Sequence, residues 1–551
     1  LSSIPFGESQ MMLTPEYYRD NFDKLVSHAL EWYSDLLSDE EHHWLNGYGS
    51  LSAQAQCLIV RLLIRKGDWF RSDKLKYDEI PQLERVAIEL EAIGFISINP
   101  EISCQELAAI LLTKPEIVNL FKNADKKLKK EPLVQSLAPI SFVYGHQLAF
   151  TVYYLQNAEI IRLLSVLFFA NTHQDISQFV MEGLGLHRFE IYQLSKQRRF
   201  FQSIQQVQIL LELSNIRQKH EELKEKNHSS LLDLADSIPE PINHSYVNRK
   251  REQLINRIAR DFERVNQQTS ALEWYRKTNL PPSRERTVRI LEKQNHLHNA
   301  DLVLTEMLRH PFDLSEREIA HRLKHRIDRK HGIKVPRVVK PVYHSLYLEL
   351  DISHTRVEIA VKEHFESLGW RVFYLENQFL NGLFGLVFWD IIFSSVDGAF
   401  INAYQSAPLD LYHPDFIKNR KGAIEQRVKQ IRSGDCQCID KHFYQKQGIT
   451  NALVHWGSID EMLLNLIKQS ISHEMLADLF EVMLQDLKLY RSGMPDLIAF
   501  KQQEFQWIEV KGPGDSLQES QWRWITQFER LNVPFSVCYV NHDITRKGCL
   551  E

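Results

Sequence analysis

Residues 493–515 read GMPDLIAFKQQEFQWIEVKGPGD, two short apolar runs that have the texture of buried strands. Asp496 nevertheless heads the first run, and Glu509 and Lys511 lie near the end of the second. Side chains alternate along a strand, so Glu509 and Lys511 share one sheet face while Ile508 and Val510 share the other. Pro495 fixes the chain entering the first run, and a hairpin between the runs would set Asp496 opposite Glu509. Carboxylates gathered in apolar surroundings repel one another unless a cation neutralises them. Magnesium or manganese suits such hard oxygen donors, and an ion held there acts on phosphate esters. Lys511 then supplies a positive charge where negative charge develops on the phosphate.

The residues that follow extend the pattern. Gly512, Pro513 and Gly514 end the strand and allow close backbone approach, and Ser516-Leu-Gln-Glu519 has the form of a capping box opening a helix. On that helix Gln521 falls on the stripe continued by Trp524 and Phe528, which turns its amide inward toward the acids.

At 551 residues the chain suggests roughly three or four domains. Hydrophobic residues at 44% and charged residues at 25% are globular usage. The run FLNGLFGLVFWDIIF contains Asn381 and Asp390 and is too short for a comfortable bilayer span, so no membrane segment is expected. The opening LSSIPFGESQMML lacks the order of a secretory signal and suggests a natural start near Met11 or Met12. Six cysteines in so long a chain point to a reducing cytoplasm. Cys436-Gln437-Cys438 has no second ligand pair, and Ala477 stands where a zinc-protease helix begun by His473-Glu474 would need histidine. No phosphate-binding loop of the Walker kind or dinucleotide fingerprint occurs, so no nucleotide cofactor is expected.

Net charge is -5, but residues 241–340 hold 22 Lys and Arg against 12 Asp and Glu. A local excess of ten positive charges on an acidic chain suggests a track for a polyanion, with a solvated helical surface as the plain alternative. Arg322, Lys324 and Arg326 are a group within it that would contact phosphates. Further basic residues stand at Lys488 and Arg491, just before Gly493, and in KNRKGAIEQRVKQIR, where Arg420 and Lys421 are candidates for phosphate contacts.

The first two-thirds read as helix after helix, with SCQELAAILLTKPEIVNLFKN broken around Thr113–Pro115. Residues 194–340 read as stacked helical pairs, and KVPRVVKPVYH as a linker. After it come an amphipathic helix in HTRVEIAVKEHFESLGW, a strand RVFYLE, a long helical insertion, two strands, a helix and the strand NVPFSVCYV. The expected fold is mixed and mainly α, ending in an α/β domain with a mixed central sheet. Four regions follow: an N-terminal helical domain over 1–97, a second helical region over 98–193, helical repeats over 194–340, and a catalytic domain over 341–551 with an insertion at about 380–475.

The pattern PD(x)12EVKGPGD(x)5Q resembles the VRR-NUC branch of the PD-(D/E)xK nucleases. RLLIRKGDWFRSDKLKYDEI, HTRVE, LENQFLNGLFGLVFWDIIF and NAYQSAPLDLY extend the likeness over most of the chain to the Fanconi-associated nuclease family, in a bacterial form. That resemblance implies a DNA-binding role for the helical domain over 1–97, an SAP-like second region, TPR-like repeats and a metal-dependent nuclease of branched DNA. Cutting of 5′ flaps, 5′ to 3′ trimming and interstrand-crosslink repair, in the bacterial cytoplasm at the nucleoid or in a nucleus, are part of the same expectation. It also implies a third acid ligand, Glu376, with Asp496, Glu509 and the Val510 backbone carbonyl, around one or two Mg2+ or Mn2+ ions. Here LEN stands where the family has GEG, leaving Glu358 and Asp390 as competitors; Asp390, in an apolar helix, reads as a structural hydrogen-bonded acid. Two other readings are a helical scaffold with a degenerate acid cluster and a four-way-junction resolvase, which would be an obligate dimer.

Overall fold

The structure is a computed structural model that describes residues 16–122, 124–145, 148–172, 188–337 and 339–542; the expected start at Met11 or Met12 lies outside them. The chain forms two compact units, one spanning residues up to 186 together with 195–215, the other 187–194 together with 216 onward.

The first unit departs from the all-helical expectation. Helices Tyr17–Tyr33, Asp39–Ser50, Ala53–Leu63 and Leu83–Ile93 form as their apolar spacing requires. Between and after them, however, strands β1 (Trp69–Arg71), β2 (Ile96–Ile98) and β3 (Val152–Leu155) make an antiparallel sheet in the order β1-β3-β2. Strands of three or four residues are too short to display an alternation, which is why the sequence hides them. The boundary expected near Ser97–Pro100 falls at the end of β2, which pairs with β3 across the intervening helices. Those helices, Cys104–Ile110, Lys114–Leu120 and Lys130–Gln135, enclose a small core of their own around Leu107, Ile117 and Leu133. Capping boxes Ser103/Glu106 and Thr113/Glu116 start the first two, so the expected break at Thr113–Pro115 forms.

In the second unit, helices Ser245–Arg264, Gln268–Tyr275, Ser283–Lys293, Leu297–Arg309 and Leu314–Lys330 follow one another as the expected helical pairs. Asn266 and Asn295 adopt the left-handed conformation, at φ 62° and 61°, just beyond two of these helices, and so reverse the chain in the same way twice.

The five-stranded sheet has the order β4-β8-β7-β6-β5, built from β4 (His344–Leu350), β5 (Arg371–Tyr374), β6 (Leu497–Lys501), β7 (Glu504–Lys511) and β8 (Phe535–His542). Strands β5, β6 and β7 are antiparallel, while β8 runs parallel to both β7 and β4, so the sheet is mixed as expected. Strand β4 is an addition: HSLYLEL alternates with leucines at 346, 348 and 350 but follows the proline-rich linker directly and escapes notice there. Both faces of the central strands are covered. Ile498, Phe500, Phe505 and Trp507 join the large core of the helical insertion, together with Trp524 and Phe528 of helix Glu519–Leu531. Leu497, Ala499, Ile508 and Val510 pack the opposite way with Val361 and Phe365 of helix Val357–Ser367. A sheet buried on both faces reads as continuous apolar runs, and any charge placed near its middle is desolvated.

Candidate active site

The hairpin register pairs Leu497 with Ile508, so Asp496, one residue earlier, stands opposite Glu509. Beyond that point β6 has ended and β7 continues with β8 alone. The Val510 N–H turns toward the vacated side and donates to Asp496 Oδ2 at 2.9 Å. In a strand the N–H and C=O of one residue point the same way, so the Val510 carbonyl also faces the side that β6 has left.

Glu376 arrives from the end of β5. Its backbone N–H and that of Leu375 both donate to the Asp496 carbonyl at 3.1 Å, which forces Glu376 into the left-handed region at φ 44°. The family glycine after this acid is Asn377 here, and its side-chain oxygen accepts from the Met494 N–H at 3.0 Å. A second tether thus holds the loop against the PD segment without glycine. The Glu376 side chain is exposed, and Tyr374 donates its hydroxyl to Oε1 at 2.6 Å. Tyr374 is an addition to the expected set; its place as the last residue of β5, two residues ahead of Glu376, is the sequence signal for it.

Glu509 is 2% exposed and Lys511 8%. Lys511 Nζ lies 2.7 Å from Glu509 Oε1, and Gln521 Nε2 donates to the same oxygen at 2.5 Å. The Gln521 amide can present only its NH2 group, because its own oxygen accepts from the Gln518 N–H at 2.8 Å as the reciprocal arm of a capping box. The helix therefore begins at Glu519 with Gln518 as its cap, two residues later than Ser516-x-x-Glu519 suggests. Gly493, at φ 90°, makes the close approach possible: a Cβ there would stand 2.5 Å from the Ser520 carbonyl carbon.

Burial raises the carboxyl of Asp496 to about 6, with Val510 N–H and Lys511 opposing and Glu358 and Glu376 reinforcing. Burial first, and then the charge of Asp496, pushes Glu509 up to about 8 despite Lys511 beside it. Glu376, Asp496 and Glu509 thus act on one another electrostatically. Each also has one oxygen held by an internal donor and a second oxygen with no partner among the described residues. Hard oxygen donors left in this half-engaged state are the right type for a divalent ion. They are neighbours and not a closed cage: among the described residues no group of three or more His, Cys, Asp or Glu is set to hold an ion unaided.

The sequence matches the FAN1 HTH-domain family over residues 16–97 and the VRR-NUC domain family over residues 432–542. It is 32% identical to the Fanconi-associated nuclease 1 homolog of Pseudomonas aeruginosa, across 96% of each chain. The chain belongs to the Fanconi-associated nuclease family. It is a structure-specific DNA nuclease of bacterial type, in a class that is generally metal-dependent. The Arabidopsis thaliana homolog is 25% identical over 97% of this chain and 68% of its own. Two crystal structures of paFAN1, bound to 2-nucleotide and 1-nucleotide 5′-flap DNA with a gap, superpose with TM-scores of 0.82 and 0.80 at 31% and 32% identity. They cover 98% and 96% of this chain and all of theirs. The VRR-NUC match takes in Asp496, Glu509, Lys511 and Gln521 but begins after Glu376, which only the tertiary structure of the nuclease brings to them.

The other acids and bases sort differently. Asp390 accepts from Arg427 at 2.7 Å, the structural role expected of it. Glu358, half-buried in the first turn of helix Val357–Ser367, reaches Asp496 by its field. Arg420 is corrected: it is buried at 4% exposure, with Nη1 2.8 Å from Asp410 and Nε donating to the Ile391 carbonyl at 3.1 Å, and cannot touch a phosphate. The group Arg322, Lys324 and Arg326 is also neutralised internally. Arg322 pairs with Glu519, Lys324 with Asp301 at 2.9 Å and Asp328 at 2.5 Å, and Arg326 with Glu292. Lys421, whose Nζ lies a loose 3.8 Å from Glu425 Oε1, and Lys488 line a cavity of about 750 Å³ together with Arg249 and Lys418. Exposed Arg491 lies nearby in sequence with its guanidinium 4.6 Å above the Tyr412 ring.

Proposed function

We infer that the protein cuts 5′-flapped DNA near the junction of single and double strand and trims in the 5′ to 3′ direction, as part of DNA repair that includes interstrand crosslinks. The observation that carries this reading is the half-engaged state of the three carboxylates around the Val510 carbonyl; the flap DNA bound by paFAN1 supports the substrate. Glu376, Asp496, Glu509 and the Val510 carbonyl would hold one or two Mg2+ or Mn2+ ions, with the exposed Glu376 side chain turning from Tyr374 to complete the set. A bound ion supplies Lewis-acid stabilisation to the phosphate oxygens.

This chain's own groups do the rest. Gln521 and Lys511 fix one oxygen of Glu509 and thereby aim the other. The Lys511 ammonium, desolvated and already oriented, lies beside the phosphate as charge builds on it, where a fixed cation stabilises the transition state most. Contacts that position the duplex are assigned to Lys421, Lys488 and Arg491, with Arg249 and Lys418 added from the cavity. The four-region division of the chain is the functional one, the first three regions and the basic cavity of the last holding duplex and the acids of the last cutting it.

The test uses end-labelled 5′-flap, 3′-flap, four-way and linear DNAs with Mg2+, Mn2+ or chelator. Metal-dependent incision a few nucleotides from the 5′-flap junction is expected. Preferred resolution of four-way junctions would favour a resolvase, and binding without cleavage in every metal would favour a scaffold.

A further inference from the structure

The sheet face that carries Glu509 and Lys511 continues past the acids to an aromatic row. Lys511 is in register with Tyr539 on β8, and Tyr539 is in register with Tyr347 on β4, the edge strand. The leucines that flank Tyr347 pack on the opposite face with Ile508 and Val510, so Lys511, Tyr539 and Tyr347 project together. The two rings stack at 5.5 Å with an interplanar angle of 20°. Tyr539 is held in place by its hydroxyl, 2.9 Å from that of Tyr343, whose ring meets Trp522 edge-on at 5.7 Å. Tyr347 is 72% exposed, a large ring open to solvent on the same face as exposed Glu349.

We propose that Tyr347, backed by Tyr539, is a stacking platform for an unpaired base of the DNA strand being cut. Stacking on an aromatic face is tolerant of base identity, as a nuclease that reads structure and not sequence requires. The rigid support of Tyr539 means that little side-chain freedom is lost on binding. Strands in a sheet are spaced by about 4.8 Å, so Tyr347 lies roughly 10 Å across from Lys511. At about 3.4 Å per stacked nucleotide this places the base within about three nucleotides of the phosphate at Lys511. The inference rests on the site proposed above and names a subsite within it.

The experiment is single-turnover cleavage by the full chain, with Tyr347→Ala, Tyr347→Phe and Lys511→Ala, on 5′-flap DNAs carrying one abasic nucleotide at each of the positions on either side of the scissile phosphate. On intact DNA, Tyr347→Ala should raise the half-saturating concentration about five- to a hundredfold while Tyr347→Phe stays within about twofold, as loss and retention of one base–aromatic stack predict. At one abasic position the wild type and Tyr347→Ala should become equal. The exposed position makes misfolding avoidable, and melting curves verify it. A defect that persists at every abasic position, or no defect on intact DNA, overturns the platform. Lys511→Ala separates the two levels: full cleavage by that variant sinks the site itself, whereas an inactive Lys511→Ala beside an unimpaired Tyr347→Ala sinks only the stacking.

Discussion

Two charged regions of the second unit behave in opposite ways. The helical repeats hold the largest excess of cations in the chain, yet Arg322, Lys324 and Arg326 are each paired within the protein, and Lys330 shares Glu292 with Arg326. The end of the central sheet holds only a few charges, and its three acids are each left with an unpartnered oxygen among the described residues. Surface pairs of the first kind contribute little energy and orient one element on another: Arg322 with Glu519, and Arg523 with Glu318 at 2.8 Å, tie helix Leu314–Lys330 to the helix that carries Gln521. The second kind is costly without a ligand, since desolvating Asp496 and Glu509 side by side raises the free energy of their charged forms. Function is therefore better located by incomplete coordination than by charge density.

The sharpest way to break this comparison is to remove the acids. Asp496→Ala, Glu509→Ala and Glu376→Ala should each lower single-turnover cleavage at least about a hundredfold, with DNA affinity retained. Loss in Glu358→Ala with activity kept in Glu376→Ala would move the third ligand to the helix. Lys511→Ala should cost about tenfold or more in the same assay with affinity unchanged, and Lys511→Arg should not recover it, because a broad guanidinium does not replace a buried point charge.

Gly493→Ala tests the approach of the PD segment to helix Glu519–Leu531. With φ at 90° and the Ser520 backbone 2.5 Å from the new Cβ, it should cost roughly 1–3 kcal/mol in denaturant unfolding and reduce cleavage as well.

Protonation sharpens the contrast further. Asp496 and Glu509 have folded-state values raised to about 6 and about 8, so between the unfolded carboxyl range and those values the folded chain holds more protons than the unfolded one. Chelated protein should consequently lose melting temperature as pH rises from about 4 to 8, the reverse of an ion-paired acid. Binding of Mg2+ near pH 7 should release about one proton, chiefly from Glu509, measurable by calorimetry in buffers of differing ionisation enthalpy.

The smallest effect is expected from neutralising Arg322, Lys324 and Arg326 together, which should shift the salt slope of DNA binding by less than about one unit, as their charge is already matched. Lys421→Ala with Lys488→Ala should flatten it by slightly under about one unit for each phosphate that is no longer neutralised. A steep change from the first set and none from the second would reverse the assignment of the two regions.

Much of the site was legible because strand periodicity is local. WIEVK alone puts Glu509 and Lys511 on one face, and the two-residue turn at Gln502-Gln503 sets the register that brings Asp496 opposite. The helical texture of residues 241–330 and strands β5 to β8, taken one at a time, were legible for the same reason. Pairings between distant segments were not. The sequence carries no local mark that Arg420 would be buried against Asp410, that Glu376 would be drawn to the Asp496 carbonyl, or that Gln518 would replace Ser516 as the helix cap and so turn the Gln521 amide toward Glu509. Strands β1 to β3 were too short to show a period, and β4 acquired meaning only by pairing with β8. Side-chain alternation is a property of a few consecutive residues and is determined by the sequence itself. Which oxygen is engaged, which cation is already matched and which ring stands in register with Lys511 depend on partners far along the chain, and only the tertiary structure decides them.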